Sequence, residues 1–174
     1  FIKKYLGMTH YEYLKKKKIN IYLQDGQKIV EPWDPFCTNQ KKTKCIGPQN
    51  LSFNNKTIKM TGYILPRQNE FNKYGEFDEA GGLKGWIDQQ GIYIYREQRL
   101  IGPPTWCDFK TMNDKIWENE KIYERIRIRL DIPSTLDEEF GLSVQKTKAT
   151  LPYLIRIKVQ NFAEELKSII KKEK

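Results

Sequence analysis

Apolar and polar residues alternate along this chain in short runs whose period changes several times, and those changes predict its elements. Residues 1–18 carry two helical signals: Phe1, Ile2, Tyr5 and Leu6 at helical spacing, then Thr9-His-Tyr-Glu12, a capping-box spacing ahead of Tyr13 and Leu14. Two short apolar runs, residues 19–24 and 28–30, flank Asp25-Gly26, which predicts a hairpin. Pro32 and Pro35 stop it, and residues 36–55 read as a polar loop rich in Asn and Lys. In residues 56–65, Ile58, Met60 and Ile64 fall on one face and Thr57, Lys59 and Thr61 on the other, a strand with one wet side.

A long connection follows over residues 66–90, with glycines at 81, 82 and 85. Residues 91–95 and 99–101 then form a second predicted hairpin, closed by Pro103-Pro104. Ile122, Ile126, Ile128 and Leu130 alternate with Tyr123, Arg125, Arg127 and Arg129, which predicts a strand with an apolar face and an arginine face. Residues 134–139 read as a short capped helix. From Pro152 a helix runs to the end, with Ile155, Val159, Phe162, Leu166 and Ile169 forming its stripe. Hairpins mixed with a few helices, without regular βαβ alternation, give an α+β fold with one core and no internal repeat.

Composition narrows the function. The 174 residues hold 39% hydrophobic side chains, enough for one sizeable core, and 31 Lys+Arg against 22 Asp+Glu give a net charge of +9. No stretch approaches the ~20 apolar residues of a membrane span, and the first residues lack a signal-peptide core, so the chain is read as cytoplasmic and off the membrane. Phe at position 1 implies a preceding segment. Three cysteines outside any CxxC spacing and a single histidine, His10, argue against a zinc site and against His-based nucleophilic chemistry. No metal site is expected, and no paired His or Asp-Glu-x-Lys signature supports a metal-dependent hydrolase. Lys15, Lys16, Lys17 and Lys18, the loop around Lys41 to Lys44, and Arg125, Arg127 and Arg129 read either as a solvated basic face or as a surface for nucleic-acid phosphates.

Four stretches in order carry a resemblance: Val30-Glu-Pro-Trp-Asp-Pro35; residues 85–96 with Arg99-Leu-Ile101; Arg127-Ile-Arg-Leu-Asp-Ile132; and Leu142-Ser-Val-Gln-Lys-Thr-Lys148 before Leu151-Pro152. Together they resemble the second, transducer domain of the GHKL ATPase superfamily, which includes gyrase B, MutL, the MORC proteins and the ninety-kilodalton heat-shock chaperones. The nearest likeness is to prokaryotic gyrase- and chaperone-like ATP-binding proteins.

The resemblance implies a ribosomal-protein-S-five-like α+β sheet with hairpins and a long C-terminal helix. Residues 1–174 would then form one transducer-like domain of a longer ATPase whose N-terminal ATP-binding domain lies outside this sequence. It implies that Lys148, with Lys146 as the near alternative, is the lysine offered to the ATP γ-phosphate, and that Gln145 is a second donor. ATP and Mg would be held only by the other domain. The expected partners are that domain and a second copy in a homodimer, with nucleic acid as a further candidate. This chain alone is not expected to hydrolyse ATP. The alternative reading is a stand-alone basic nucleic-acid-binding module.

Overall fold

The computed structural model describes residues 2–24, 28–142 and 149–173. The fold is α+β: a five-stranded mixed sheet carries a long C-terminal helix on one face and an N-terminal layer on the other. In chain order the elements are α1 (Ile2–Thr9), α2 (Tyr11–Lys15), β1 (Tyr22–Leu23), β2 (Lys28–Ile29), β3 (Lys44–Phe53), β4 (Lys56–Ile64), α3 (Glu76–Ala80), β5 (Gly91–Arg96), β6 (Arg99–Leu100), β7 (Ile126–Ile132) and α4 (Tyr153–Lys172). The large sheet runs β3-β4-β7-β5-β6, and β1 and β2 form a separate two-stranded ribbon. Within the large sheet only the β5–β7 pair is parallel. Among the described residues no helix is long and apolar enough to cross a membrane.

Period-two patterning sets the core. Met60, Gly62 and Ile64 of β4 pair with Leu130, Ile128 and Ile126 of β7, while Ile92 and Ile94 of β5 pair with Ile128 and Leu130. This puts one continuous apolar surface beneath α4, which buries Ile155, Val159, Phe162, Ala163, Leu166 and Ile170 against it. The predicted stripe is displaced only at its end, where Ile170 is buried and Ile169 is partly buried. Each of the Ile, Val, Leu and Phe side chains contributes about 1.5–3 kcal/mol relative to remaining in water. Lys167 adds a polar clasp, its Nζ standing 3.4 Å from the Trp117 ring centre, 4.4 Å from Tyr123 and 5.0 Å from Trp106.

Several expectations change. Residues 44–53, read as loop, are the edge strand β3, which joins β4 through Asn54-Asn55, both at positive φ as a tight two-residue hairpin turn requires. The strand is hard to see because it buries only Leu51 and carries Pro48 at a register shift between Ile46 and Gln49, a placement that only an edge tolerates. Ile122 and Tyr123 belong to a 3-10 turn (Lys121–Tyr123) ahead of β7 rather than to the strand. Residues 134–136 form a 3-10 turn in place of a side-chain-capped helix. The Thr9–Glu12 capping box does not form: His10 is the residue ahead of α2, with no side-chain cap, and Glu12 is spent elsewhere. The side of β4 expected to be wet is covered at Thr61 and Tyr63, where Phe36 stacks on Tyr63 with ring centres 4.6 Å apart. The first hairpin pairs Tyr22 with Ile29 as expected, while its Asp25-Gly26 turn lies outside the described residues. The second hairpin is present, turning at Glu97 and Gln98 at positive φ.

Gly62 lies where α4 comes closest to the sheet. A Cβ there would stand 2.9 Å from both Leu166 Cδ1 and the Phe162 ring. Gly62→Val is therefore expected to destabilise the fold by about 1–3 kcal/mol through overpacking, read as a lower urea midpoint with an unchanged slope.

Candidate functional site

The expected phosphate-contacting residues Gln145, Lys146 and Lys148 lie outside the described residues. What the structure gives is the base from which that segment departs. Phe140, fully buried, donates its N–H to the Leu136 carbonyl at 3.1 Å, and Leu142 N donates to the Asp137 carbonyl at 2.8 Å. On the return side, Thr150 N donates to the Phe140 carbonyl at 2.9 Å and Thr150 Oγ1 to the same oxygen at 3.3 Å. The two ends of the segment are thus held together at a neck formed by Phe140 and Thr150. Gly141 enters it at φ +60, and a Cβ there would meet Thr150 Oγ1 at 2.9 Å, so the neck admits only glycine without shifting.

The neck is fixed from two sides. Asp137 receives a bidentate pair from Arg96 at the end of β5, Nε–Oδ1 2.8 Å and Nη2–Oδ2 2.8 Å. Beyond Thr150, Pro152 begins α4, and the Pro152 carbonyl accepts from Arg156 N at 2.8 Å. A cavity of about 350 Å³ opens beside the neck, walled by Ile92, Ile94, Ile101, Thr150 and Leu151, with Arg156 at its border. The Arg156 guanidinium donates to the Asp108 carbonyl, so this cation is already engaged. Phe140 and Thr150 carry no motif, and sequence reasoning missed them. The one available signal was a β-hydroxyl residue directly ahead of Leu151-Pro152, where the chain must turn into α4.

No family model, curated protein or solved structure matches this chain.

The arginine face is corrected outright: it is not an exposed surface. Arg127 is fully buried, with Nη1 donating to the Glu124 and Ile126 carbonyls and the guanidinium 5.6 Å from the Trp86 ring centre. Its Nε and Nη2 have no partner among the described residues, and burial pulls its pKa down. Arg125 donates to the Leu65 carbonyl at 2.9 Å and to Glu173 Oε2 at 2.5 Å. Arg129 holds Glu12 Oε1 at 2.6 Å and both oxygens of Asp131, and lies 4.4 Å from the Tyr95 ring centre. Burial opposes its charge, but Asp131 and Glu12 outweigh that and raise its pKa. Arg127 is sealed inside, while Arg125 and Arg129 are half-buried and already hold carboxylates and carbonyls of this chain.

Lys15, Lys16, Lys17 and Lys18 are at the surface. Lys16 pairs with Glu12 at 3.3 Å and donates to Gln98 at 2.9 Å, and Lys15 stands over the Tyr11 ring at 5.1 Å. The structure does not join these lysines to the arginines as one cationic face. Within the glycine cluster, Gly82 serves packing: at φ +71 it leaves room for Trp33, whose ring carbons would lie 2.8 Å from a Cβ there.

Glu12 supplies a pH test. Burial pushes its carboxyl up, but the hydrogen bond and charge of Arg129, then those of Lys16, prevail and hold it below its ordinary value of 4.5. A folded pKa below the unfolded one adds stability above pH 4.5 that is lost as pH falls through the folded value. Arg129→Ala is expected to cost about 2–3 kcal/mol at neutral pH, less than a fully buried pair because both partners keep an edge in water. The deficit relative to the parent should shrink in urea titrations repeated progressively below pH 4.5.

Proposed function

We propose that this chain is the transducer module of a GHKL-type ATPase, presenting Lys148 to the γ-phosphate of an ATP held by a separate nucleotide-binding domain. The observation that carries the reading is the closed neck at Phe140 and Thr150. A lysine that must reach a nucleotide on another domain needs a loop long enough to extend and a base rigid enough to aim it. Here the base is hydrogen-bonded on both strands and braced by the Arg96–Asp137 pair. Lys148 suits the task because an ammonium on a flexible stem is a compact charge that offsets the negative charge developing on the transferring phosphoryl group. Gln145 is the second donor in this reading, and Lys146 the neighbouring alternative.

In this reading the nucleotide's Mg is held with the ATP by the other domain. Movement of the lysine with its neck would carry the sheet and α4 as a body, which is the form in which nucleotide state would be relayed to a partner or second copy. Nucleic-acid binding as the main role is disfavoured by the engagement of Arg125, Arg127 and Arg129.

The test is steady-state ATP hydrolysis by the full gene product, by its Lys148→Ala and Lys146→Ala variants, and by this 174-residue chain. Lys148→Ala is expected to lower turnover by roughly 10²-fold, as removal of one transition-state donor does, with an unchanged circular dichroism spectrum. Lys146→Ala should lower it far less, and the isolated chain should be inactive. Unchanged turnover in Lys148→Ala rejects the assignment.

A further inference from the structure

On the sheet face away from α4, a second cavity of about 500 Å³ lies between α2, the turn before β3, and α3. It is unrelated to the lysine loop, and its chemistry runs against that of the chain as a whole. The molecule carries a net charge of +9, yet this cavity is lined by three carboxylates, Asp34, Glu76 and Glu79, against one ammonium, Lys15. Its apolar walls are rings: Tyr11, Trp33 and Phe71.

The walls are held in place from within. Asp34 fixes the turn by accepting from Phe36 N at 2.9 Å and Thr38 N at 2.8 Å. Trp33 Nε1 donates to the Glu79 carbonyl at 3.1 Å, tying the turn to α3. The Glu79 carboxylate makes no hydrogen bond or ion pair with any described residue.

Gln40 points to a ligand. It lines the cavity and is only 9% exposed, yet its carboxamide makes no hydrogen bond among the described residues. Its donor and acceptor are left to the water of the cavity, and a ligand that meets them displaces that water. The carboxylates do not converge closely enough to form a metal cluster, which disfavours a bare metal ion and favours a cation whose charge and donors are spread out.

We propose that this cavity binds an organic cation, an alkylguanidinium or alkylammonium group. The carboxylates supply opposite charge, the ring faces attract the cation, and the Gln40 carbonyl oxygen accepts one of its N–H groups. The same group ends an Arg or Lys side chain on a polypeptide and a free small amine.

The experiment follows the Trp33 indole N–H and the Gln40 side-chain amide in nitrogen-correlated NMR spectra of this chain during titration. The probes are methylguanidinium, butylammonium and the pentapeptide Gly-Gly-Arg-Gly-Gly, with neutral methylurea as control. Saturable shifts with a cationic probe and none with methylurea are expected. Tighter binding of the pentapeptide than of methylguanidinium identifies a polypeptide side chain as the ligand, and equal binding identifies a free small cation. Glu79→Gln should weaken binding by roughly threefold, the scale of one partly solvated charge contact. Gln40→Leu should weaken it too while leaving the melting temperature equal or higher, which a purely structural glutamine would not do. No saturable shift with any cation, equal shifts with methylurea, or unchanged affinity in both variants overturns the proposal.

Discussion

The second layer of this protein depends on how Arg129 is satisfied. β7 sits in the middle of the sheet with both faces covered, and its alternation sends Ile126, Ile128, Leu130 and Ile132 toward α4 and arginines the other way. A guanidinium at the centre of a sheet is costly without partners, and one carboxylate on the same strand, Asp131, meets only part of its fork. The remaining partner is Glu12, 117 residues earlier, and reaching it requires α2 to lie across the sheet. Once α2 is there, Tyr13 Oη reaches the Glu97 carbonyl at 2.7 Å and Lys16 Nζ reaches Gln98 at 2.9 Å, fastening the helix to the β5–β6 turn. Phe36 then closes the gap between Tyr63, Tyr93 and Tyr95.

This explains which parts of the fold were legible. α4 and the apolar face of β7 follow from periodicity because one element buries one stripe, and the β5–β6 hairpin follows from strand signals around a two-residue turn. β3 was not legible, since an edge strand with solvent on most of its side chains has no apolar alternation to reveal it. The arginine face was legible as a face but not as a buried one. Alternating Arg on a strand looks the same whether water or a second layer lies beyond it. Deciding between them needed Glu12, whose sequence context suggested a local helix cap. The long-range ion pair outcompeted the capping box, and no pattern within a few residues of Glu12 reports that.

The proposed phosphate-contacting residues rest on resemblance alone, because a polar corner of Gln, Lys and Thr has no chemistry that its spacing enforces. Its anchoring was not legible at all. The shorter of the two bonds that join Phe140 and Thr150 runs through the backbone, where most residue types would serve, and only the Thr150 hydroxyl adds a side chain to it. Gln40 and its carboxylate neighbours are similarly silent in sequence. They come from α2, the turn and α3, and only the fold over Arg129 brings them around one cavity.

The two faces of the sheet meet at Glu97. Its carbonyl accepts from Tyr13 of α2, and its carboxylate accepts from Ser134 N at 3.0 Å at the start of the 3-10 turn that leads to the loop's neck. Next to it, Arg96 grips Asp137, whose own carbonyl holds Leu142. The N-terminal layer and the neck are therefore joined by consecutive short contacts through two adjacent residues of one tight turn. The hydrogen bonds from Ser134 hold the Glu97 carboxyl below its ordinary value, so this acceptor stays charged to a more acidic pH than a free glutamate would. With both of its polar ends committed and its backbone at positive φ in a two-residue turn, Glu97 has little freedom to act as a hinge. The contacts that seat α2 and those that brace the neck therefore converge on this one corner, so the layer assembled to satisfy Arg129 and the neck are tied to the same two adjacent residues.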